Sequence, residues 1–257
     1  MNRILTLAYG ILCYAVFLGT FLYAIGFVGN LVVPKTIDSG SAGVFWPSAL
    51  VNLGLLGLFG LQHSVMARPG FKRWWTRIVP EVAERSTYVL FASLALLLLY
   101  RLWRPLPETI WSVEGEPGRA LLWGLFGLGW GLVLVSTFMI SHAHLFGLRQ
   151  VTDYARGGSV SAPQFQTPGL YRYVRHPIMV GFFIAFWATP EMTAGHLLFA
   201  VVTSAYILIA LRFEERDLVR AFGDRYRRYR AEVPRFVPRF TRTRKAAPAA
   251  SETAVDP

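Results

Sequence analysis

The feature that most constrains this chain is a series of long, uncharged apolar segments. A helix that spans the hydrocarbon core of a membrane needs about 20 mainly apolar residues. At this length only helices are expected to span, because the hydrocarbon core offers backbone groups no water to bond. The segments are Ile4–Val33, Ala42–Ala67, Tyr88–Tyr100, Ala120–Ile140, Ile178–Thr189 and Ala194–Leu211. The sequence therefore predicts an all-α fold, a polytopic transmembrane bundle of about six helices.

Two of these segments are short for a span. The third approaches spanning length only if it extends back to Ser86 and forward to Trp103. The fifth ends at Thr189, and Pro190 and Glu191 separate it from the sixth. A single crossing by the fifth and sixth segments would place the basic end of the chain outside the cell. We therefore expect both to cross as a tilted C-terminal helical hairpin, or neither to cross.

Charge is distributed unevenly along the chain. The net charge is +11, and 12 of the 26 lysine and arginine residues lie from Arg212 onward. In a soluble protein this excess would suggest a nucleic-acid partner, but 54% of the residues are hydrophobic and the mean hydropathy is +0.40. We therefore interpret the basic end as a segment that faces membrane lipid and predict no nucleic-acid site. Because basic loops remain in the cytoplasm, both termini are predicted to be cytoplasmic.

The chain is predicted to form one transmembrane domain over residues 1–241. The tail over residues 242–257 is rich in Ala, Pro, Ser and Thr and is predicted to be disordered. The first apolar segment is too long for the apolar part of a signal peptide. Cys13 is the only cysteine, which excludes an intramolecular disulfide and a cysteine-rich metal site.

The stretch Thr167–Met179 is the first candidate for a functional site. A Pro- and Gly-containing turn ends in Arg175, His176 and Pro177, and an apolar helix is predicted to begin there. Proline suits the first helical position, because its missing N–H would have had no partner inside the helix. The free N–H groups of that first turn, beside Arg175 and His176, favour an anion such as a carboxylate or phosphate.

Acidic and aromatic residues complete this candidate site. Glu214 and Glu215 follow the last apolar segment, where two carboxylates are costly unless a cation or a hydrogen-bond donor meets them. An anion site and an acidic pair at one membrane face favour a zwitterionic cofactor. Tyr171 and Tyr173 flank the turn and are candidates to stack on a base or to face a cation, or else to anchor the chain at the interface.

The histidines are the second set of candidates. His63, His142, His144 and His176 are predicted to lie near the cytoplasmic face, and His196 at the opposite face. They come from separate segments and show no ligand spacing typical of a metal site, so no metal centre is predicted. A hydrogen bond between helices for His63, and an interfacial position for His142 and His144, remain the alternatives to a catalytic role.

The C-terminal third resembles the integral-membrane methyltransferases, which include isoprenylcysteine carboxyl methyltransferase and the phospholipid N-methyltransferases. The resemblance is carried by one ordered set of motifs: Arg175-His176-Pro177, an apolar hairpin, Glu214-Glu215, Gly223-Asp224-x-Tyr226-x-x-Tyr229, and Val233-Pro234-Arg235-Phe236. It implies that S-adenosylmethionine is the cofactor and that residues 167–238 hold most of its site. The residues implied to contact the cofactor are Tyr171, Arg175, His176, Pro177, Glu214 and Glu215. Met179 departs from the pattern, because the family often has tyrosine there.

The first half is similar to the methanethiol S-methyltransferase branch, and part of its pattern is shared with the NnrU proteins and nurim. This similarity rests on Gln62-His63-Ser64-Val65-Met66-Ala67-Arg68-Pro69, Glu84-Arg85-Ser86-Thr87-Tyr88 and Leu145-Phe146-Gly147-Leu148-Arg149-Gln150. It implies a small thiol as substrate and dimethyl sulfide as product. It also implies an integral membrane protein, which we place in the inner membrane of a bacterium.

The implied chemistry is in-line attack of a thiolate on the cofactor's methyl group. A thiol has a pKa of roughly 8.5 or higher, so a base is useful, and the candidates in order are His142, His63 and His144. Nearby arginines holding the thiolate by charge alone are the alternative. Two rival functions remain: methylation of a prenylcysteine carboxylate or a phospholipid amine, and a non-catalytic role of the nurim type.

Overall fold

The structure is a computed structural model, and it describes residues 2–159 and 165–238. The elements are α1 (Arg3–Gly29), α2 (Phe45–Ala67), α3 (Pro69–Trp75), α4 (Glu81–Leu102), β1 (Thr109–Ser112), α5 (Glu116–Ile140), α6 (His142–Leu145), α7 (Leu148–Ala155), a 3-10 turn (Gly169–Arg172), α8 (Pro177–Trp187), β2 (Glu191–Thr193), α9 (Ala194–Phe222) and α10 (Asp224–Glu232). The predicted polytopic helical bundle is confirmed. The tail predicted to be disordered, 242–257, lies outside the described residues.

Within the described residues, five helices are long and apolar enough to cross a membrane: α1, α2, α4, α5 and α9. The third predicted segment does extend beyond Tyr88–Tyr100, because α4 begins at Glu81 and ends at Leu102. The fifth predicted segment forms α8, which has only 11 residues. At 1.5 Å per residue it is about 16 Å long, roughly half of the hydrocarbon thickness. The orientation of the termini remains a prediction.

A small antiparallel sheet joins two loops at one end of the bundle. Strand β1 precedes α5 and pairs with β2, which lies between α8 and α9. The amide of Ala194 also donates to the carbonyl of Glu108 over 2.7 Å. The sequence predicted only that Pro190 and Glu191 separate the two helices. The pairing was missed because its two strands are about 80 residues apart and only three or four residues long.

Helix α8 packs mainly along α5. The contact uses small residues, because a Cβ added to Gly181 would lie 2.7 Å from the carbonyl oxygen of Gly129. Small residues let two membrane helices approach closely, and backbone packing then replaces side-chain burial. This close contact brings the start of α8, with His176 and Pro177, beside the end of α5, from which α6 and its two histidines follow.

Candidate functional site

Two cavities adjoin each other at the end of the bundle where α8 begins. The first, called the polar cavity, has a volume of about 490 Å³ and its wall includes His144, Tyr171, Arg175, His176, Glu214 and Tyr226. The second, called the apolar cavity, has a volume of about 370 Å³ and extends between the helices. The polar side chains in its wall include His63, Arg85, Tyr88, Thr137 and His142. Leu145, Ile178 and Met179 line both cavities and so form a shared wall.

The turn before α8 is covered by residues 233–236, called here the C-terminal strap. The amide of Arg175 donates to the carbonyl of Pro234 over 2.9 Å, and the amide of His176 donates to that of Arg235 over 3.3 Å. The Arg175 guanidinium also donates to the carbonyls of Arg230 and Val233. The strap therefore satisfies backbone and side-chain donors of the Arg-His-Pro turn.

Glu215 is buried beneath this turn and is bonded to the side chains of two arginines and one histidine. Its Oε1 accepts from Nη2 of Arg175 at 2.8 Å and from Nε2 of His176 at 3.1 Å. Its Oε2 accepts from Nη2 of Arg235 at 2.7 Å. Since a carboxylate only accepts, the His176 tautomer carries its proton on Nε2. Glu215 thus joins α9, the Arg-His-Pro turn and the C-terminal strap, and both of its oxygens are in use within the protein.

Glu214 has a different environment, although it is adjacent in sequence. Its side chain is exposed and lines the polar cavity. No lysine, arginine or histidine in residues 2–159 and 165–238 forms an ion pair with it, whereas three contact Glu215. Successive residues on a helix point about 100° apart, which places one carboxylate inside and the other in the cavity. Glu214 is therefore the carboxylate of the pair that is free to meet a ligand.

Three tyrosines supply hydroxyl groups on the side of the polar cavity. Burial raises the pKa of Tyr171 and Tyr226, and it raises the pKa of Tyr229 to about 12, so all three stay protonated at neutral pH. Tyr229 donates to the carbonyl of Tyr171 over 2.6 Å. The Tyr226 hydroxyl is buried and has no hydrogen-bond partner among the described residues, which marks a donor that a ligand could satisfy.

The structure brings some of the predicted cofactor residues together and separates others. Tyr171, Arg175, His176 and Glu214 line the polar cavity. Tyr173 is 62% exposed and lies outside both cavity walls. The remaining two predicted residues have supporting positions: Pro177 is the buried first residue of α8, and Glu215 lies behind the wall.

His142 is held in one orientation by a chain of hydrogen bonds. The Thr137 hydroxyl donates to the carbonyl of Leu134 over 2.7 Å, so it accepts from Nδ1 of His142 over 2.8 Å. Nε2 is then the unprotonated nitrogen, and the Tyr14 hydroxyl donates to it over 2.9 Å. Burial lowers the pKa of His142, which keeps the ring neutral at neutral pH. His142 therefore presents a basic nitrogen at the apolar cavity.

The other histidines are divided between the two cavities. His63 lines the apolar cavity and bonds to the Tyr88 hydroxyl, which lies 2.8 Å from its Nε2. His144 lines the polar cavity, and burial followed by the charge of Arg85 lowers its pKa. His196 is fully buried and donates from Nε2 to the carbonyl of Phe186 over 2.9 Å. In the described part of the chain, no three His, Cys, Asp or Glu side chains are grouped to hold a metal ion.

Several site residues were not predicted as such from the sequence. Tyr14 and Thr137 orient His142, Arg235 compensates Glu215, and Arg85 lies in the wall of the apolar cavity. Arg85 had one available signal, since it is a charge that directly precedes the long uncharged part of α4. Tyr14 had none, because its partner is 128 residues away.

Comparisons with known proteins cover almost the whole chain. The sequence model of the family described as "Phospholipid methyltransferase" matches residues 122–225. A methanethiol S-methyltransferase of Mycobacterium tuberculosis is 60% identical over 93% of this chain and 98% of its own length. Another, from Crocosphaera subtropica, is 51% identical over 93% of both chains. The nurim of Xenopus laevis is 28% identical over 82% of this chain and 81% of its own. No solved structure matches the chain.

Proposed function

Because the chain belongs to the methanethiol S-methyltransferase family, we propose that it transfers a methyl group from S-adenosylmethionine to methanethiol, forming dimethyl sulfide. The observation that carries the proposal is the shared wall of Leu145, Ile178 and Met179. A polar cavity suits a charged methyl donor, an apolar cavity suits a small thiol, and the two meet at this wall. Met179, the residue that departs from the family's frequent tyrosine, lies at that wall.

The residues of the polar cavity fit the proposed cofactor. Its volume of about 490 Å³ is within the range of about 300–1,000 Å³ typical of small-molecule sites. Glu214 is placed to accept from an ammonium or ribose hydroxyl, and the unpartnered Tyr226 hydroxyl offers a donor. Arg149, which also pairs with Asp153 over 3.5 Å, suits a carboxylate, whereas the amides of Met179 and Val180 in the first turn of α8 already donate to the carbonyl of His176. When bound, S-adenosylmethionine supplies a methyl group on a sulfonium, which is already a good leaving group.

In this proposal the apolar cavity excludes water from the acceptor sulfur. Apolar side chains form most of its wall, so a thiolate formed there is poorly solvated and more reactive. His142 takes the thiol proton on Nε2, after the Tyr14 hydroxyl gives up that position to the substrate. His63 is the second candidate base in the same cavity and His144 the third, from the polar side. Orientation of the sulfur against the shared wall supplies the remainder of the rate enhancement.

The size of the apolar cavity favours one second candidate function. A volume of about 370 Å³ is several times what a molecule with two non-hydrogen atoms needs. A larger apolar acceptor, such as a prenylcysteine or a phospholipid amine, is therefore the alternative, and the family described as "Phospholipid methyltransferase" matches residues 122–225. A methylation assay in which each acceptor is supplied alone distinguishes the two functions.

The experiment that tests the proposed function uses the full chain purified in lipid nanodiscs. Methanethiol and S-adenosylmethionine are added, and headspace gas chromatography measures dimethyl sulfide. We expect product in proportion to protein. If no dimethyl sulfide forms but a lipid or prenyl acceptor is methylated in parallel vials, then that acceptor, and not methanethiol, is the substrate. No product with any acceptor would contradict the enzymatic proposal.

Replacement of Glu214 by glutamine is expected to weaken cofactor binding without loss of stability. Hydrogen bonds to a charged group contribute about 1.5–3 kcal/mol, which corresponds to a dissociation constant about 10- to 150-fold higher. Isothermal titration with S-adenosylhomocysteine measures this change. Exposed Glu232, on α10, provides the control variant Glu232→Gln. If Glu214→Gln and the unaltered protein bind S-adenosylhomocysteine with equal affinity, then Glu214 does not contact the cofactor.

We also propose the wider setting of this activity. The chain is an integral membrane protein by its five apolar helices. We place it in the inner membrane of a bacterium, with one domain over residues 1–241 and both termini in the cytoplasm. The pairing of β1 with β2 supports this orientation, because the short α8 and the residues after it return the chain along α5 before α9 begins. This orientation lets a soluble cofactor enter the polar cavity directly, while a small apolar thiol reaches the second cavity through the membrane.

A further inference from the structure

We propose that Arg85 binds the acceptor's thiolate sulfur in the apolar cavity and is a catalytic residue of this enzyme. The inference rests on the proposed function and deepens it, because it assigns the anion site that the acceptor uses. The sequence left open that an arginine holds the thiolate by charge, but it did not indicate which arginine.

The position of Arg85 is fixed by two contacts. Its Nε donates to the carbonyl of Leu145 over 2.6 Å. Its guanidinium carbon lies 4.9 Å from the centroid of the Tyr88 ring, which is within the range of a cation–π contact. Leu145 lines both cavities, so this bond places Arg85 next to the wall across which the methyl group would pass.

The charge of Arg85 has no compensating partner in the described residues. No carboxylate there lies within 4.0 Å of it, and the neighbouring Glu84 instead approaches Lys72 at 4.0 Å. Only its Nε–H has a hydrogen-bond acceptor in the same residues, although a guanidinium carries five donors. Arg85 is half-buried, and a cation that lines an apolar cavity is stabilised by an anion there. The remaining donors therefore point to an anionic ligand.

The anion that fits is a thiolate. It is large, weakly hydrated and attached to a small apolar group, so it suits an apolar cavity with a single cationic contact. In the transfer, the thiol proton passes to Nε2 of His142, and the sulfur lone pair forms the new bond to the methyl carbon. The bond from that carbon to the sulfonium breaks, and its electron pair remains on the departing sulfur, which becomes a neutral thioether.

Other ionisable groups near Arg85 include three carboxylates. The groups are His63 from α2, Lys72 from α3, Glu84 and Tyr88 from α4, His142 and His144 from α6, Arg149 and Asp153 from α7, and Tyr206 and Glu214 from α9. Glu84 approaches Lys72 at 4.0 Å, Asp153 pairs with Arg149 at 3.5 Å, and Glu214 lines the polar cavity. None of these carboxylates lines the apolar cavity, and Arg85 is the arginine of this set that does.

The test compares Arg85→Gln with Arg85→Lys and with a control at an exposed arginine, Arg77→Gln. A cation beside the sulfur lowers the pKa of the bound thiol, so its removal should move the acid side of the kcat profile to higher pH. We expect kcat for Arg85→Gln at neutral pH to fall at least tenfold and to recover as the pH rises. Arg85→Lys should retain more activity, Arg77→Gln should be unchanged, and binding of S-adenosylhomocysteine should change less than twofold in all three.

A second measurement does not depend on the variant's activity. Thiocyanate, a weakly hydrated anion, is used as a probe, and we expect it to compete with methanethiol in the unaltered protein but not in Arg85→Gln. Non-competitive inhibition, or equal inhibition of both proteins, would overturn the assignment. So would a lower rate with an unchanged pH profile, which indicates a structural role. Failure of the proposed function is distinct, because the unaltered protein would then form no dimethyl sulfide.

Discussion

Replacement of Glu215 by glutamine is expected to abolish dimethyl sulfide formation and to lower the free energy of unfolding by about 3–5 kcal/mol. Glutamine keeps the shape of the side chain but removes the charge that meets Arg175, His176 and Arg235. The Arg175 contact should account for most of the loss, because Arg235 is about one-third exposed and partly solvated. Thermal unfolding in detergent measures the effect.

The expected loss includes the C-terminal strap. Without Glu215, Arg235 loses its partner and the backbone bonds from Arg175 and His176 to the strap should break more often. Limited trypsin digestion should therefore cut within residues 233–236 faster than in Glu232→Gln, the exposed control. If Glu215→Gln unfolds at the control's temperature and loses only cofactor affinity, then Glu215 contacts the cofactor directly, and its assignment here as a structural carboxylate is wrong.

Replacement of His142 by alanine is expected to lower kcat by about 100-fold or more, because general-base catalysis contributes about 10²–10⁴-fold. Cofactor affinity should be preserved, since His142 lines the apolar and not the polar cavity. Burial lowers the pKa of His142, so in the unaltered protein its basic form is present at neutral pH and is lost as the pH falls through that lowered value. Single-turnover kinetics over a pH series measures both effects.

Two variants serve as controls for His142. Tyr14→Phe removes the hydroxyl that donates to Nε2 and should leave a competent base, whereas Thr137→Val removes the acceptor for Nδ1 and should slow the reaction. Normal turnover in His142→Ala would exclude it as the base. The same experiment on His63→Ala would then show whether the second histidine of the apolar cavity has this role.

The membrane bundle was predictable because hydropathy reports the cost of each segment in hydrocarbon directly. The predicted segment Ile4–Val33 corresponds to α1, and Ala120–Ile140 to the last five-sixths of α5. The short α8 was harder to interpret, because apolar character alone does not distinguish a span from a helix packed inside the bundle. Its close contact with α5 joins Gly129 and Gly181, and the residues next to each glycine in the sequence do not reveal that the two meet.

The sequence predicted the region of the candidate site, but it did not predict which residue there faces the cavity and which one is structural. The sequence placed Glu214 and Glu215 together, yet one helical step puts them in different surroundings. Tyr171 and Tyr173 were equivalent in the sequence, and the 3-10 turn buries the first and exposes the second. Such differences arise from partners far along the chain, so they become visible only when the segments are assembled.

We propose that the methyl donor occupies the polar cavity and faces the apolar cavity across Leu145, Ile178 and Met179. An experimental structure in lipid nanodiscs with S-adenosylhomocysteine tests it most directly. We predict density for the nucleoside and amino-acid parts between Glu214 and Tyr226, with the thioether sulfur at the shared wall. Density in the apolar cavity, or at a site with no contact to Glu214, would contradict the account.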